Sequence, residues 1–166
     1  GEYVEAAQAA TAGNLDAMDA AFARADDQEI AFGEKLRSCG FAEGPFAEIS
    51  SKLGTTRADI IRLSAELYEC SSRSCLDSAA KRLKATAHAG TLQIDELMAE
   101  IHKAGLADEQ KTCLEHGLAL AGRGYEEWER AAKALLSRNY QAAERHSVRS
   151  QGLAARASEA LAACVD

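Results

Sequence analysis

Residues 108–138 read DEQKTCLEHGLALAGRGYEEWERAAKALLSR, and this stretch decides the fold class. Its apolar positions are Leu114, Leu118, Ala121, Tyr125, Trp128, Ala132 and Leu135. The steps between them alternate between four and three. At 3.6 residues per turn such steps fall on one stripe of a helix, and the alternation is the seam of a left-handed bundle. A strand would alternate every second residue instead. Asp108 is a good cap for the start of this helix, which the spacing carries to Arg138.

Three glycines, Gly117, Gly122 and Gly124, interrupt that helix. Each costs up to about 1 kcal/mol in a helix interior, so each needs a reason. Close helix contact, a kink and a surface approached by another molecule are the three open readings.

Working outward, a last helix is predicted from Tyr140 to about Cys164, with a small-residue face of Ala143, Ser147, Ala154, Ala157 and Leu161. Upstream lies a short helix, Leu92 to Ala104, with Leu97, Met98 and Ile101 inward and Gly105 as its stop. Before it, Thr56 with Asp59 resembles a capping box with Asp in place of Glu. The helix that starts there carries Ile60, Leu63, Leu67 and Cys70, then Leu76, Ala80, Leu83 and Ala87 after a slip of phase. The slip falls on Ser71-Ser72-Arg73-Ser74, which predicts a kink or stutter in one helix rather than a reversal. Gly90 is its expected end.

Residues 40–55 read as the one long connection, with Gly44-Pro45 inside it and a short helical turn near Ala47–Leu53. A helix with Leu15, Met18, Phe22, Ala25, Phe32, Leu36 and Cys39 on one face precedes it, capped by Asn14 and ended by Gly40. A short helix, Glu2 to Thr11, opens the chain.

Long helices with short connections pack antiparallel. The expectation is therefore a single all-α domain over residues 1–166, an elongated up-and-down bundle of four main antiparallel helices with one or two short extra ones. Composition agrees: the 166 residues include 36 alanines, one proline and 5% aromatics, a helical rather than a sheet balance.

The net charge of −7 and pI near 5.2 argue against nucleic acid, which needs a basic footprint. No apolar run approaches the ~20 residues that span a bilayer. A leader or lipid anchor preceding Gly1 is compatible with the sequence. The expected partner is another protein.

Five cysteines, Cys39, Cys70, Cys75, Cys113 and Cys164, are dispersed without a C-x-x-C pair. Two disulfides with one spare thiol are expected, which favours a secreted, periplasmic or cell-surface setting. In an up-down bundle Cys113 lies level with Cys164, which makes that the first pair. Cys39 with Cys70 or Cys75 is the second. Cys70 with Cys75 is disfavoured if the helix continues, because residues five apart point to different faces.

The chemistry of a catalyst is missing from the pattern. No histidine has a glutamate three residues before it, as a di-iron bundle requires. There is no nucleophile elbow and no phosphate-binding glycine loop. Cys113 and His116 have the spacing of two metal ligands but no second pair. Trp128, Tyr125, Met98 and His102 are the candidates for lining a ligand or haem pocket, with plain core packing as the simpler role for the first three.

The stretches Thr112-Cys113 to Ala134-Leu135-Leu136 and Asn139-Tyr140 to Cys164 are similar to the plant invertase and pectin methylesterase inhibitors. Those are secreted, disulfide-stapled four-helix bundles. The early cysteine hairpin of that family has no counterpart here. The resemblance implies an inhibitor of a secreted enzyme by analogy of fold alone.

Three functions are thus open. The first is a non-catalytic, extracytoplasmic bundle that is not an enzyme, needs no cofactor, and acts through protein–protein contact or as a structural module. The second is a bundle that binds a small molecule, haem or metal. The third is the inhibitor.

Overall fold

A computed structural model describes residues 45–164. They form four helices: α1, Pro45–Glu69; α2, Arg73–Lys103; α3, Asp108–Leu136; and α4, Tyr140–Ala162. No strand occurs among the described residues, and the four helices pack as an all-α bundle. The helices expected over 2–11 and 15–39, and Cys39 with them, lie outside the described residues.

The pairing is antiparallel throughout. His88 on α2 faces Glu129 on α3, with Nδ1 to Oε2 at 3.6 Å. Fourteen residues further along α2 and fourteen back along α3, His102 faces Glu115 at 3.0 Å. The Cys113–Cys164 bridge likewise joins the start of α3 to the end of α4. Close packing falls between helices successive in the chain: α1 on α2, α2 on α3, α3 on α4.

Three boundaries differ from those expected. First, α1 begins at Pro45, inside the predicted connection at 40–55, and runs through Gly54. Proline suits the first helical position, where its missing N–H is no loss and its fixed φ is helical. Thr56 is therefore no cap. It is buried, and its hydroxyl donates to Gln93 Oε1 on α2 at 2.9 Å.

Second, the chain reverses at 70–72, where a kink was expected. Ser72 caps α2, its hydroxyl accepting from the Cys75 amide at 3.2 Å. A cap three residues before a bonded amide starts a new helix rather than bending an old one.

Third, α2 continues through Gly90 to Lys103, so the separate short helix at 92–104 does not exist. Ala87, Gly90, Ile94, Leu97 and Ile101 are all buried at steps of three and four. Gly90 is a packing residue: a Cβ there would lie 2.5 Å from Tyr125 Cδ1. The Tyr125 ring occupies the space that a side chain would take.

The core divides into two clusters. Ile49, Ile94, Leu97, Ile101, Leu114 and Leu118 form one. Ile60, Leu63, Leu83, Ala87 and Ala132 form the other, with Trp128 against it. Tyr125 packs against both.

α3 is buried on two sides. Besides the stripe facing α1 and α2, it buries Gly117, Leu120, Gly124, Glu127 and Ala131. This second stripe meets Ala143, Ser150 and Ala157 on α4, so the seam is made of small residues. Close contact requires glycine at one of the three α3 positions, Gly117, and leaves ordinary packing distance at Gly122 and Gly124. A Cβ at Gly117 would lie 2.5 Å from Leu161 Cγ, and one at Gly124 3.6 Å from the Ser150 carbonyl oxygen. Gly122 faces the other way, with Ile94 Cγ2 at 3.4 Å.

These contacts set the sign of two substitutions. Gly90→Ala gains helix propensity of up to ~1 kcal/mol but must displace the Tyr125 ring, and a net loss of about 1–2 kcal/mol is expected. A Cβ at Gly54 meets nothing within 4 Å. Gly54→Ala is therefore expected to stabilise by about 0.5–1 kcal/mol. Urea unfolding midpoints check both; a gain at both positions would contradict the placement of Tyr125.

Candidate functional site

The end of the bundle where α1 stops, α2 starts, α3 stops and α4 starts is held by covalent and ionic ties. Cys70 and Cys75 form a disulfide across the turn, with Cα atoms 5.5 Å apart. This corrects the expected pairing of Cys39 with one of them. The objection to a bridge between residues five apart assumed a continuous helix, and the reversal at 70–72 removes it. The other bridge, Cys113–Cys164, is the first pair expected, with Cα atoms 5.6 Å apart.

The α3–α4 turn at the same end uses Arg138 at φ 61°, a left-handed conformation that glycine adopts more easily. The guanidinium explains the choice. Its Nη1 and Nη2 donate to the two Asp77 carboxylate oxygens on α2 at 2.6 and 2.9 Å. Glycine would ease the backbone and lose this two-point clamp. The Arg138 hydrogen bonds hold the Asp77 carboxyl below its ordinary value. Asn139 then caps α4, accepting from the Ala142 amide at 3.1 Å.

On this tied frame two tyrosines stand out. Tyr68, at the end of α1, is 90% exposed, and Tyr140, at the start of α4, is 54% exposed. Between the bridged cysteines Ser71, Ser72, Arg73 and Ser74 are all exposed. Tyrosine, serine and arginine on a rigid turn are the chemistry of protein recognition. The aromatic supplies contact area with few rotamers to freeze, and the hydroxyls adapt their hydrogen bonds.

A second polar group sits mid-bundle between α3 and α4. Glu127 is 7% exposed. Its Oε2 lies 2.6 Å from His146 Nδ1, and its other oxygen accepts from Arg130. Burial pushes the Glu127 carboxyl up, but the His146 and Arg130 hydrogen bonds outweigh it and the carboxyl sits below its ordinary value. The cluster joins an ion pair within α3, Glu127 with Arg130, to a hydrogen-bonded contact with His146 on α4.

Asp77, Glu127 and Glu129 all sit below their ordinary values, Glu129 chiefly through its hydrogen bond from Lys133. Carboxyls held low in the fold stabilise it fully above their unfolded values, and that stabilisation is lost as pH falls through the lower, folded values. The melting temperature is therefore expected to fall with acidification below about pH 4. In Glu127→Gln the fall should be shallower. An identical acid slope in that variant would count against the cluster.

The sequence candidates for a ligand pocket are distributed rather than gathered. Trp128 packs against the Ile60–Leu63 cluster, and Met98 against the Ile94–Leu118 cluster. Tyr125 lies between the clusters with its ring over Gly90. His102 is exposed and pairs with Glu115. Cys113, considered with His116 as a metal pair, is spent in its disulfide. Among the described residues no three His, Cys, Asp or Glu side chains stand together as a metal group.

Sequence reading passed over Tyr68 and Tyr140, whose signal is a large aromatic off the apolar stripe. Glu127 lies off the apolar stripe of α3 and carries no mark in the sequence. The signal it lacked was the second stripe of α3.

The bundle and its tied end thus define a helical module. No family model matches the chain, and neither does any curated protein or solved structure. The likeness to the plant inhibitors finds no support there. Among the described residues no helix is long and apolar enough to cross a membrane, and the two disulfides are compatible with an extracellular location.

Proposed function

We infer that this chain is a non-catalytic, extracytoplasmic helical-bundle domain that works by protein–protein contact at its disulfide-tied end. The observation that carries the reading is Tyr68, 90% exposed beside the bridged turn. An aromatic ring left in water on a rigid support gains about 25 cal/mol per Å² of apolar surface when a partner covers it. The bridge and the Arg138–Asp77 clamp hold the surrounding turns, so little ordering cost remains at binding. Two disulfides suit an oxidising compartment.

The test is photo-crosslinking in the fluid or extract in which the protein naturally occurs. A photoreactive residue replaces Tyr68 in one sample and Gly105, at the opposite end, in another. A single protein adduct from position 68, absent from position 105 and lost on adding Arg73→Glu with Tyr140→Ala, is the expected result. Equal adducts at both ends, or none at position 68, would overturn the reading. So would turnover of a defined substrate that disappears on changing a residue of this domain.

A further inference from the structure

α4 carries an outward face that the bundle does not use. Arg145, Arg149 and Arg156 are exposed on it, and Val148 is 55% exposed among them. Among the described residues no carboxylate lies within ion-pair distance of any of the three. Several arginines elsewhere in the bundle are engaged. Arg62, Arg73, Arg82 and Arg130 have carboxylate partners, and Arg138 has Asp77.

Gly152 adds a second oddity. It lies inside α4, where glycine weakens a helix, yet a Cβ there meets nothing within 4 Å. Each glycine inside α2 and α3 has another helix within 4 Å of where its Cβ would lie; Gly152 does not. It leaves a dent lined by Arg149, Leu153 and Arg156 and, from α3, by Glu127, whose carboxylate is already held by Arg130 and His146.

The complement of this face exists on the same molecule. On α2, Leu92 is 50% exposed, with Asp95, Glu96 and Ala99 exposed beside it. No ion pair to Asp95 or Glu96 occurs among the described residues. Laid parallel with Val148 against Leu92, the two faces match in register. Gly152 then receives Glu96 between Arg149 and Arg156. In an up-and-down bundle α2 and α4 run in the same direction, so a second molecule placed alongside brings the faces together in parallel.

We propose that the outward face of α4 docks on the outward face of α2 of a second copy of this chain, with Glu96 seated over Gly152. The contact is heterologous: each copy keeps one free α4 face and one free α2 face. Association therefore continues side by side rather than stopping at a dimer. It does not involve the Tyr68 end, so it stands or falls separately from the function proposed above.

Sedimentation velocity over a rising concentration series tests this. The wild-type protein is expected to associate, with salt weakening it. Two variants, Arg149→Glu/Arg156→Glu and Asp95→Arg/Glu96→Arg, are each expected to stay monomeric. Mixed together, they should regain association, because each face of one variant is matched by a face of the other, and the alternating assembly should grow as the wild type does. Gly152→Leu should remain folded by circular dichroism and lose association at least tenfold. A wild-type protein that stays monomeric to millimolar concentration would overturn the proposal. So would variants that associate like wild type, or a mixture that fails to pair. Association abolished by Tyr68→Ala but not by Arg149→Glu/Arg156→Glu would assign the contact to the tied end instead.

Discussion

Replacing both partners of the Cys113–Cys164 bridge with alanine is expected to cost about 4 kcal/mol of unfolding free energy. The bridge closes a segment of 51 residues, and in the chain-entropy account the stabilisation grows with the logarithm of that length. Cys70→Ala with Cys75→Ala opens a closure of only 5 residues, for which the same relation gives about 2 kcal/mol. Urea unfolding of the two double variants measures both. The larger loss should come with a steeper urea dependence, because a denatured chain freed of a long closure exposes more surface. Equal losses from the two bridges would show that native contacts at the bridges, not the length of chain they close, set their worth.

Gly124→Leu is expected to destabilise by about 3 kcal/mol, the upper part of the overpacking range. The backbone of α4 is the obstacle. A Cβ at position 124 already lies 3.6 Å from the Ser150 carbonyl oxygen, 3.7 Å from Leu153 Cβ and 3.9 Å from the Ala154 nitrogen. Those are ordinary contacts, so Gly124→Ala should be tolerated or slightly favourable. Any atom beyond Cβ must push the helix away, and α4 can move only by breaking its other small-residue contacts. Thermal melts of the two variants separate the outcomes. A leucine variant as stable as wild type would mean that α4 does not sit against Gly124.

The all-α class was legible because the stripe from Leu114 to Leu135 repeats without a fault. The Cys113–Cys164 bridge was legible because antiparallel helices fix which ends are level. What misled was local punctuation. Gly90 reads as a stop, although the apolar spacing continues through it and glycine inside a helix also serves where a ring must fit, and Gly54 falls within the predicted connection at 40–55. Pro45 was read as part of a loop, although proline opens helices readily. The slip of phase after Cys70 reads as a kink, although Ser72 has the spacing of a cap to Cys75.

The candidate site was less legible than the fold. A helix buried on one side shows one stripe, and its remaining residues read as solvated. α3 is buried on two sides, and its second stripe is built of glycine, alanine, Glu127 and Leu120, of which hydrophobicity marks only the leucine. Exposed tyrosines such as Tyr68 are invisible until burial is known, because sequence pattern reports what packs together and not what is left out.

The pairing of each helix with its predecessor also governs how the chain acquires its structure. Contacts between successive hairpin partners close short loops, the topology that folds in microseconds to milliseconds. During synthesis α1 can dock on α2 as soon as Lys103 has emerged, and α3 on α2 some thirty residues later. The Cys70 and Cys75 thiols meet within the first of these hairpins, whereas Cys113 must wait for Cys164 at the end of the last. Oxidation before that point leaves Cys113 exposed to the wrong partner, so the order of the two bridges in time follows the order of the helices in the chain.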